Sequence, residues 1–481
     1  MALVRAQTSC GPVRGIPAAN PEHTVFLGIP FAKPPVGQLR FAPPVPPDPW
    51  QEERLCDHFS PNCVQQFRGK VAPVSEDCLY LNVFTPAKDS GEKLPVMFWI
   101  YGGGFGGGLG DDPEFDGEAI NCQGAILVTF NYRCGPLGFF ALPELEERYG
   151  GSSNLGILDQ IAALRWVKEN IAAFGGDLDR VLVFGQSAGG ISTRILLTSP
   201  MAEGLFSRAI VQSGGGLNEA DPVRPKAEFT RLCQGCLEHL GWSWQELMEK
   251  DPLELTARLN DAARASVLGQ AVGYFQPFID GKTLTEVPGV RIKQGQYSRI
   301  PIICGTVAGD SWMFTRLVRQ SLGNRMGYFR GFSFAPGIAW ASWNAETGRD
   351  PIYTYYMDRK QPEGNRGVHR NGPPPFGADT PHSSDIAYVF GTLDRRCGDY
   401  QAYDYALSHA MLQYWVNFAK TGDPNGPGLP QWPRFTKRTP QAMHFGEKCF
   451  GAEDVIQNPE EREAIAYTIS HPGMLTSFRE G

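Results

Sequence analysis

The sequence predicts an α/β fold: a central, mostly parallel, twisted sheet flanked by helices, with helical insertions forming a cap. Three observations predict it. Several short runs are apolar along their whole length, as strands covered on both faces are. Segments with apolar residues at helical spacing separate them. Between one such run and one such helix stands "GQSAG" (185–189), a Gly-x-Ser-x-Gly turn at a strand-to-helix junction.

Taken in order, "ALVRAQTSCGPVRGI" near the start reads as a hairpin turning at Gly-Pro. "PVMFWIY" (95–101) and "AILVTFNYR" (125–133) are the first two apolar strands. A helix follows over 154–177, with Ile157, Ile161, Leu164, Trp166, Val167 and Ile171 at helical spacing and a stop at Gly175-Gly176. "DRVLVFG" (179–185), "FSRAIVQSG" (206–214), "RIPIICGT" (299–306) and "DPIYTYYM" (350–357) continue the strand rhythm. The segment 404–425 is a long amphipathic helix ending at Gly422 and Pro424. Two stretches fall outside the rhythm: a helix-rich one at about 225–265 and an aromatic- and Gly-rich one at 311–348. Length alone suggests about three domains. No Ser/Gly-rich, Pro-rich or charged linker divides the chain, so 1–481 is expected to be one domain carrying these stretches as cap or peripheral insertions.

Composition excludes several classes. Apolar residues at 42% supply a large core, so the chain is globular. A net charge of −7 with no Lys/Arg block argues against nucleic-acid binding; "DRRCGD" is a solvated mixed cluster. No apolar run approaches the ~20 residues of a membrane span. The N-terminus lacks a charged-then-apolar leader pattern, which points to the cytoplasm, or to secretion if a leader has been removed. Eleven cysteines, an odd number in a long chain, do not make a disulfide framework, and most are expected to be reduced. Cys233 and Cys236 form a C-x-x-C that could be half a metal site, but no second pair accompanies it, and no metal is expected. A monomer or small homo-oligomer acting on a small molecule is the expected form.

The chemistry starts at Ser187. The turn exposes its hydroxyl at the top of a sheet, and the N–H of Ala188 is placed to hold a developing oxyanion. "WIYGGGFGGG" (99–108) follows an earlier strand, and Gly103 and Gly104 are further oxyanion donors whose bare backbone lets a substrate oxygen approach. Either motif alone reads as a flexible Gly turn; the two in this order point to acyl transfer. An acid and a base should then follow in the order Ser, acid, His. Of eight histidines, His23 and His58 precede the Ser, and His239 and His409 sit in helical patterns where partly buried structural side chains are expected. His382, in "GADTPHSSDIAYVFG", has the loop context of a catalytic base. Asp310 ends "CGTVAGD" at a strand end, placed to hold His Nδ1–H, with a plain helix N-cap as its competing role. Asp385 is the alternative acid, although its nearness to His382 favours a local cap. Glu76 and Asp77 are expected to pair with Arg133 or Arg40. Phe105, Trp312, Phe314, Trp340 and Trp343 either line an apolar pocket or belong to the core.

Together the motifs resemble the carboxylesterase type-B family of α/β hydrolases over nearly the whole chain. The resembling stretches are "FLGIPFAKPPVGQLRFAPP" (26–44), "SEDCLYLNVFTP" (75–86), "WIYGGGF" (99–105), "NYRCGPLGFF" (131–140), 154–177, "VLVFGQSAGG" (181–190), "HSSDIAYVFG" (382–391) and "WVNFAKTGDPN" with "WP" (415–433). The resemblance implies the α/β-hydrolase fold and serine-dependent hydrolysis of carboxylic esters, of short to medium acyl or aryl type. It implies an acyl-enzyme on Ser187, His382 as base, Gly103, Gly104 and Ala188 as oxyanion hole, and no cofactor. The family's acid is usually Glu; here the matching segment "GTVAGDSWMF" carries Asp310. Cys63 and Cys78 match the family's first disulfide, and the second pair has no equivalent. The loop between them, "CVQQFRGKVAPVSEDC", is short and lacks the Trp that recognises choline in cholinesterases. The same triad would also serve amide, carbamate or lactone hydrolysis. A non-catalytic binding or adhesion role on this fold is disfavoured, because every catalytic position has a candidate.

Overall fold

The computed structural model of the chain describes residues 2–65, 73–150, 153–217, 223–266, 275–310, 334–349, 351–362, 380–396, 398–455, 462, 465–466 and 469–470. The N-terminal hairpin pairs β1 (Arg5–Gln7) with β2 (Pro12–Arg14) across the turn 8–11, as the Gly-Pro signal predicts. The main sheet has eleven strands. In chain order they are β3 (Ile16–Pro17), β4 (Thr24–Pro30), β5 (Tyr80–Thr85), β6 (Leu94–Ile100), β7 (Ile126–Phe130), β8 (Gly176–Gln186) and β9 (Arg208–Gln212), then β10 (Ile302–Val307), β11 (Ile352–Met357), β12 (Gln441–Phe445) and β13 (Phe450–Asp454). Across the sheet they run β13-β12-β11-β10-β9-β8-β6-β7-β5-β4-β3.

Beyond the N-terminal hairpin, every strand read from the sequence belongs to the parallel block from β12 to β7. Its central members are buried along nearly their whole length because helices cover both faces. The two ends are antiparallel: β5 against β7, β4 against β5, β3 against β4, and β13 against β12. These outer strands were not read from periodicity. β4 carries Gly28 and Pro30 and shifts register between Phe26 and Ile29, which breaks the period-2 alternation that marks a strand.

Helix α1 (Glu118–Cys122) precedes β7, and α2 (Leu155–Asn170) covers the sheet before β8. The extension of α2 ends on Gly175 at φ 82°, a left-handed stop. A single residue separates β8 from helix α3 (Ala188–Thr198), which packs on β8 and β9. The 225–265 stretch forms α4 (Lys226–Leu240), α5 (Trp244–Leu247) and α6 (Pro252–Ala265), a helical group away from the main sheet. Of 311–348, the described part is α7 (Phe334–Thr347), in which Trp340 is fully buried and Trp343 nearly so, both in the core. Helix α8 (Asp385–Phe390) follows His382, and α9 (Ala402–Thr421) ends at Gly422 with φ 79°, as the sequence predicts.

The core sits around Trp99 of β6, whose ring meets Phe115, Phe184 and Phe390 at 5.1, 4.8 and 4.9 Å. Phe390 belongs to α8, so the helix behind His382 is anchored on the centre of the sheet. Two buried ion pairs fix the approaches to this centre. Arg133, just after β7, clamps Asp159 of α2 with two side-chain bonds of 2.9 and 2.7 Å. Arg40 takes Glu76 in the same fork-to-fork manner at 2.6 Å. Of the two arginines named for Glu76, Arg40 is the partner. Cys63 and Cys78 form a disulfide. No described helix is long and apolar enough to cross a membrane.

Candidate active site

Ser187 sits between the last residue of β8 and the first of α3 with φ 59° and ψ −125°, a conformation L-residues rarely adopt. Holding it costs about 1–3 kcal/mol, which the surrounding backbone must offset. Its N–H donates to Gln212 O at 3.0 Å, and its carbonyl accepts from Ile191 N–H at 2.8 Å. The flanking glycines are explained by close approach. A Cβ on Gly189 would lie 1.9 Å from Ile100 O, and one on Gly185 would lie 2.5 Å from the Gly189 carbonyl carbon. Only bare backbone lets strand, turn and helix pack at this distance.

The glycine loop leaving β6 runs directly beside this turn. A Cβ on Gly102 would stand 2.7 Å from Gln186 O and 3.0 Å from Ser187 Cβ. Gly103 and Gly104 have φ of 126° and 60°, and a tight turn closes from Gly106 N–H to Gly103 O at 3.1 Å. Among the described residues nothing accepts from the backbone N–H of Gly103, Gly104 or Ala188. Three uncommitted donors therefore flank the Ser187 turn. Phe105 is buried and packs edge-on to Phe139 at 5.5 Å. Trp312 and Phe314 lie outside the described residues.

On the other side, two loops meet. Gly309 N–H donates to Thr380 O at 2.8 Å, and a Cβ on Gly309 would lie 2.3 Å from that oxygen, so the turn after β10 touches the loop before α8. The contact brings Asp310 to His382, and Asp310 Oδ1 bonds His382 Nδ1. Oδ2 accepts from the Thr306 hydroxyl and, at 3.1 Å, from Val307 N–H. Asp310 is fully buried. Burial alone would raise its pKa; the His382 charge and the bonds from His382 and Thr306 outweigh it and hold the carboxyl below its ordinary value. With an ionised acid on Nδ1, the neutral imidazole keeps its proton there and presents Nε2 as the acceptor.

Asp385 bonds to other partners. It is fully buried and accepts from Gln212 Nε2 at 2.9 Å and Tyr355 OH at 2.7 Å. Burial, joined by the nearby Asp310 charge, raises its pKa. The local cap expected for it is not made, since α8 has no side-chain cap bond; donors from β9 and β11 draw the carboxyl into the core instead. His239 and His409 do lie in helices, α4 and α9, but both are exposed, because each falls on the solvent side of its amphipathic helix.

One residue of the site had no assigned role in the sequence. Gln186 Nε2 lies 3.2 Å from His382 Nε2, and its Oε1 accepts from Ser383 Oγ at 2.9 Å. Gln186 thus ties the base to the elbow across 196 residues. Its only sequence signal is its place inside the Gly-x-Ser-x-Gly motif.

The carboxylesterase family model matches residues 3–329 and 328–463. A para-nitrobenzyl esterase of Bacillus subtilis (strain 168) is 34% identical over 95% of this chain and 96% of its own length. A fumonisin B1 esterase of Sphingopyxis macrogoltabida is 34% identical, covering 95% of this chain and 89% of the relative. A solved carboxylesterase of Geobacillus stearothermophilus matches with a TM-score of 0.80 at 32% identity, covering 96% of this chain and 99% of that one.

Proposed function

The chain belongs to the carboxylesterase family and is a carboxylic ester hydrolase, and from that premise we propose that Ser187, His382 and Asp310 carry the reaction. His382 Nε2 takes the Ser187 proton while Asp310 holds Nδ1–H and steadies the imidazolium that forms. Ser187 Oγ attacks the ester carbonyl. The N–H groups of Gly103, Gly104 and Ala188 receive the oxyanion, each such donor being worth about 2.7–4 kcal/mol. His382 then protonates the leaving alcohol, and water activated by the same ring releases the acid from the acyl-enzyme. His382 Nε2 lies 3.2 Å from Gln186 Nε2, and its bond to Ser187 Oγ is one that forms in the reacting complex.

The observation that carries this reading is the Asp310–His382 pair set beside a strained serine flanked by three uncommitted N–H donors. The substrates we propose are uncharged esters of short to medium acyl chain or with an aryl group, in keeping with the para-nitrobenzyl esterase relative. We further propose one domain over 1–481, supported by a sheet whose strands span residues 16 to 454. A cytoplasmic monomer or small homo-oligomer completes the reading. Eight free cysteines among the described residues support a reducing compartment, and the Cys63–Cys78 disulfide is the feature that pulls the other way.

The test is hydrolysis of p-nitrophenyl acetate, butyrate and octanoate by wild type and Ser187→Ala. The proposal expects activity on the shorter esters and its loss by several orders of magnitude in the variant. Comparable rates in the two proteins would remove Ser187 from the mechanism.

A further inference from the structure

Away from the site, one cluster brings three types of metal-binding side chain together. His23 closes a turn fixed by Ala18 N–H to His23 O at 3.0 Å and His23 N–H to Asn20 O at 2.9 Å. Glu118 and Cys122 lie four residues apart on α1 and so share one face. The Glu118 carboxylate stands between the other two: its Oε1 is 3.1 Å from His23 Nδ1 and 3.6 Å from Cys122 Sγ. The three ligand atoms all lie within 4.8 Å of one another. His23 is buried, Glu118 half-buried and Cys122 exposed, so the cluster is rigid on the imidazole side and open to solvent on the thiol side.

We propose that His23 Nδ1, a Glu118 carboxylate oxygen and Cys122 Sγ form a binding site for a divalent cation of the zinc class, with solvent as the fourth ligand. The geometry supports it. Tetrahedral zinc, with bonds of about 2.0–2.1 Å to N and O and about 2.3 Å to S, sets its ligand atoms about 3.3–3.7 Å apart. The thiol-to-carboxylate separation of 3.6 Å already matches, and the imidazole-to-carboxylate one of 3.1 Å needs to open by only about 0.2 Å. The imidazole-to-thiol separation, at most 4.8 Å, closes by no more than about 1.2 Å, which a rotation of the exposed Cys122 side chain supplies. Without metal, the imidazole N–H and the thiol S–H both donate to the one carboxylate oxygen. A cation replaces both contacts: the thiol proton leaves to solvent and the imidazole proton sits on Nε2. The mixed N, O and S donor set selects zinc or cobalt over magnesium and calcium, which require oxygen ligands. Bound metal would staple the 18–23 turn before β4 to α1, joining two segments 95 residues apart. The sequence reading expected no metal because that separation hides the trio.

The experiment titrates the metal-free full-length protein with Co2+ and then Zn2+. The expected result is one equivalent of Co2+ giving a thiolate-to-cobalt charge-transfer absorption that Zn2+ abolishes, together with a zinc-dependent rise in Tm. Cys122→Ser and His23→Gln should lose the absorption and weaken Zn2+ binding by more than about tenfold, since even outer-shell partners of metal ligands are worth about 10–100-fold. Cys449→Ser, which alters another exposed thiol, should leave both unchanged. Absence of the absorption, or a Cys122→Ser variant with unchanged spectrum and affinity, overturns the proposal and assigns any uptake to adventitious surface groups. Cys122 is exposed, so its variant folds and carries the test even if His23→Gln does not.

Discussion

The proposed nucleophile half of the site is made of backbone, and the proposed acid–base half is made of side chains. Around Ser187, the working parts are a strained φ of 59°, three N–H donors and glycines pressed against carbonyls. Around His382, they are a carboxylate, a hydroxyl and an amide borne by strand ends and a turn that meet the His382 loop only in the folded chain. At Gly102, Gly185 and Gly189 the first half cannot accept a Cβ. The second accepts changes of shape more readily than changes of charge or of hydrogen-bond direction. One half should therefore fail through folding and the other through chemistry.

Substitutions can break or sharpen that contrast. The largest effect on chemistry is expected from His382→Ala, about 10⁴–10⁶-fold in kcat, with a Tm loss beside it because the buried Asp310 carboxylate loses its partner. Asp310→Asn should cost about 10⁴-fold, since an amide donor facing Nδ1 favours the wrong tautomer. A loss below tenfold would show that the carboxylate does not set the tautomer. Gly189→Ala should act on folding instead. A Cβ 1.9 Å from Ile100 O forces strand and helix apart, and thermal melts should show a loss of about 3 kcal/mol or more. If Gly189→Ala melts like wild type, the backbone half is less constrained than its geometry implies. Gly104→Ala is the milder case: nothing lies within 4 Å of the added carbon, so only its φ of 60° matters. About 1–2 kcal/mol of stability should be lost, and kcat should change by less than about tenfold because the N–H donor is kept.

The smallest effect concerns Asp385, next to the chemistry but outside it. Its pKa is raised by burial and then by Asp310, so the group favours the folded state fully below its unfolded pKa and progressively loses that contribution as pH rises through the folded value. Asp385→Asn mimics the protonated form and keeps an acceptor for Gln212 and Tyr355. Its Tm relative to wild type should rise as pH climbs above the ordinary carboxylate range, with esterase activity retained. A Tm difference that is flat with pH would mean that Asp385 does not titrate in this range.

The same contrast explains how far the sequence could be read. The backbone half was legible because it demands particular residues at short spacing: Gly185, Ser187 and Gly189 in one turn, and a glycine run after an apolar strand. His382 and Asp310 were reachable from chain order and loop context; Asp385 stayed open beside Asp310, and it is Asp310 that the contact between Gly309 and Thr380 brings to His382. The contact of Gln186 with His382 left no local trace, because it depends on loops far apart in the chain. The antiparallel ends of the sheet were missed for a different reason: Gly28, Pro30 and a register shift erase the alternation in β4. The exposure of His239 and His409 shows the remaining limit, since periodicity finds a helix more surely than it finds which residues face water.

The most direct test of the central claim is covalent trapping of the nucleophile. The protein is incubated with a fluorophosphonate and followed by intact mass and peptide mapping. One adduct per chain, located on Ser187, formed far more slowly in His382→Ala and at the wild-type rate in Asp385→Asn, is the predicted result. No adduct, an adduct on another residue, or equal rates in wild type and His382→Ala would contradict the assignment of Ser187 as a serine activated by His382.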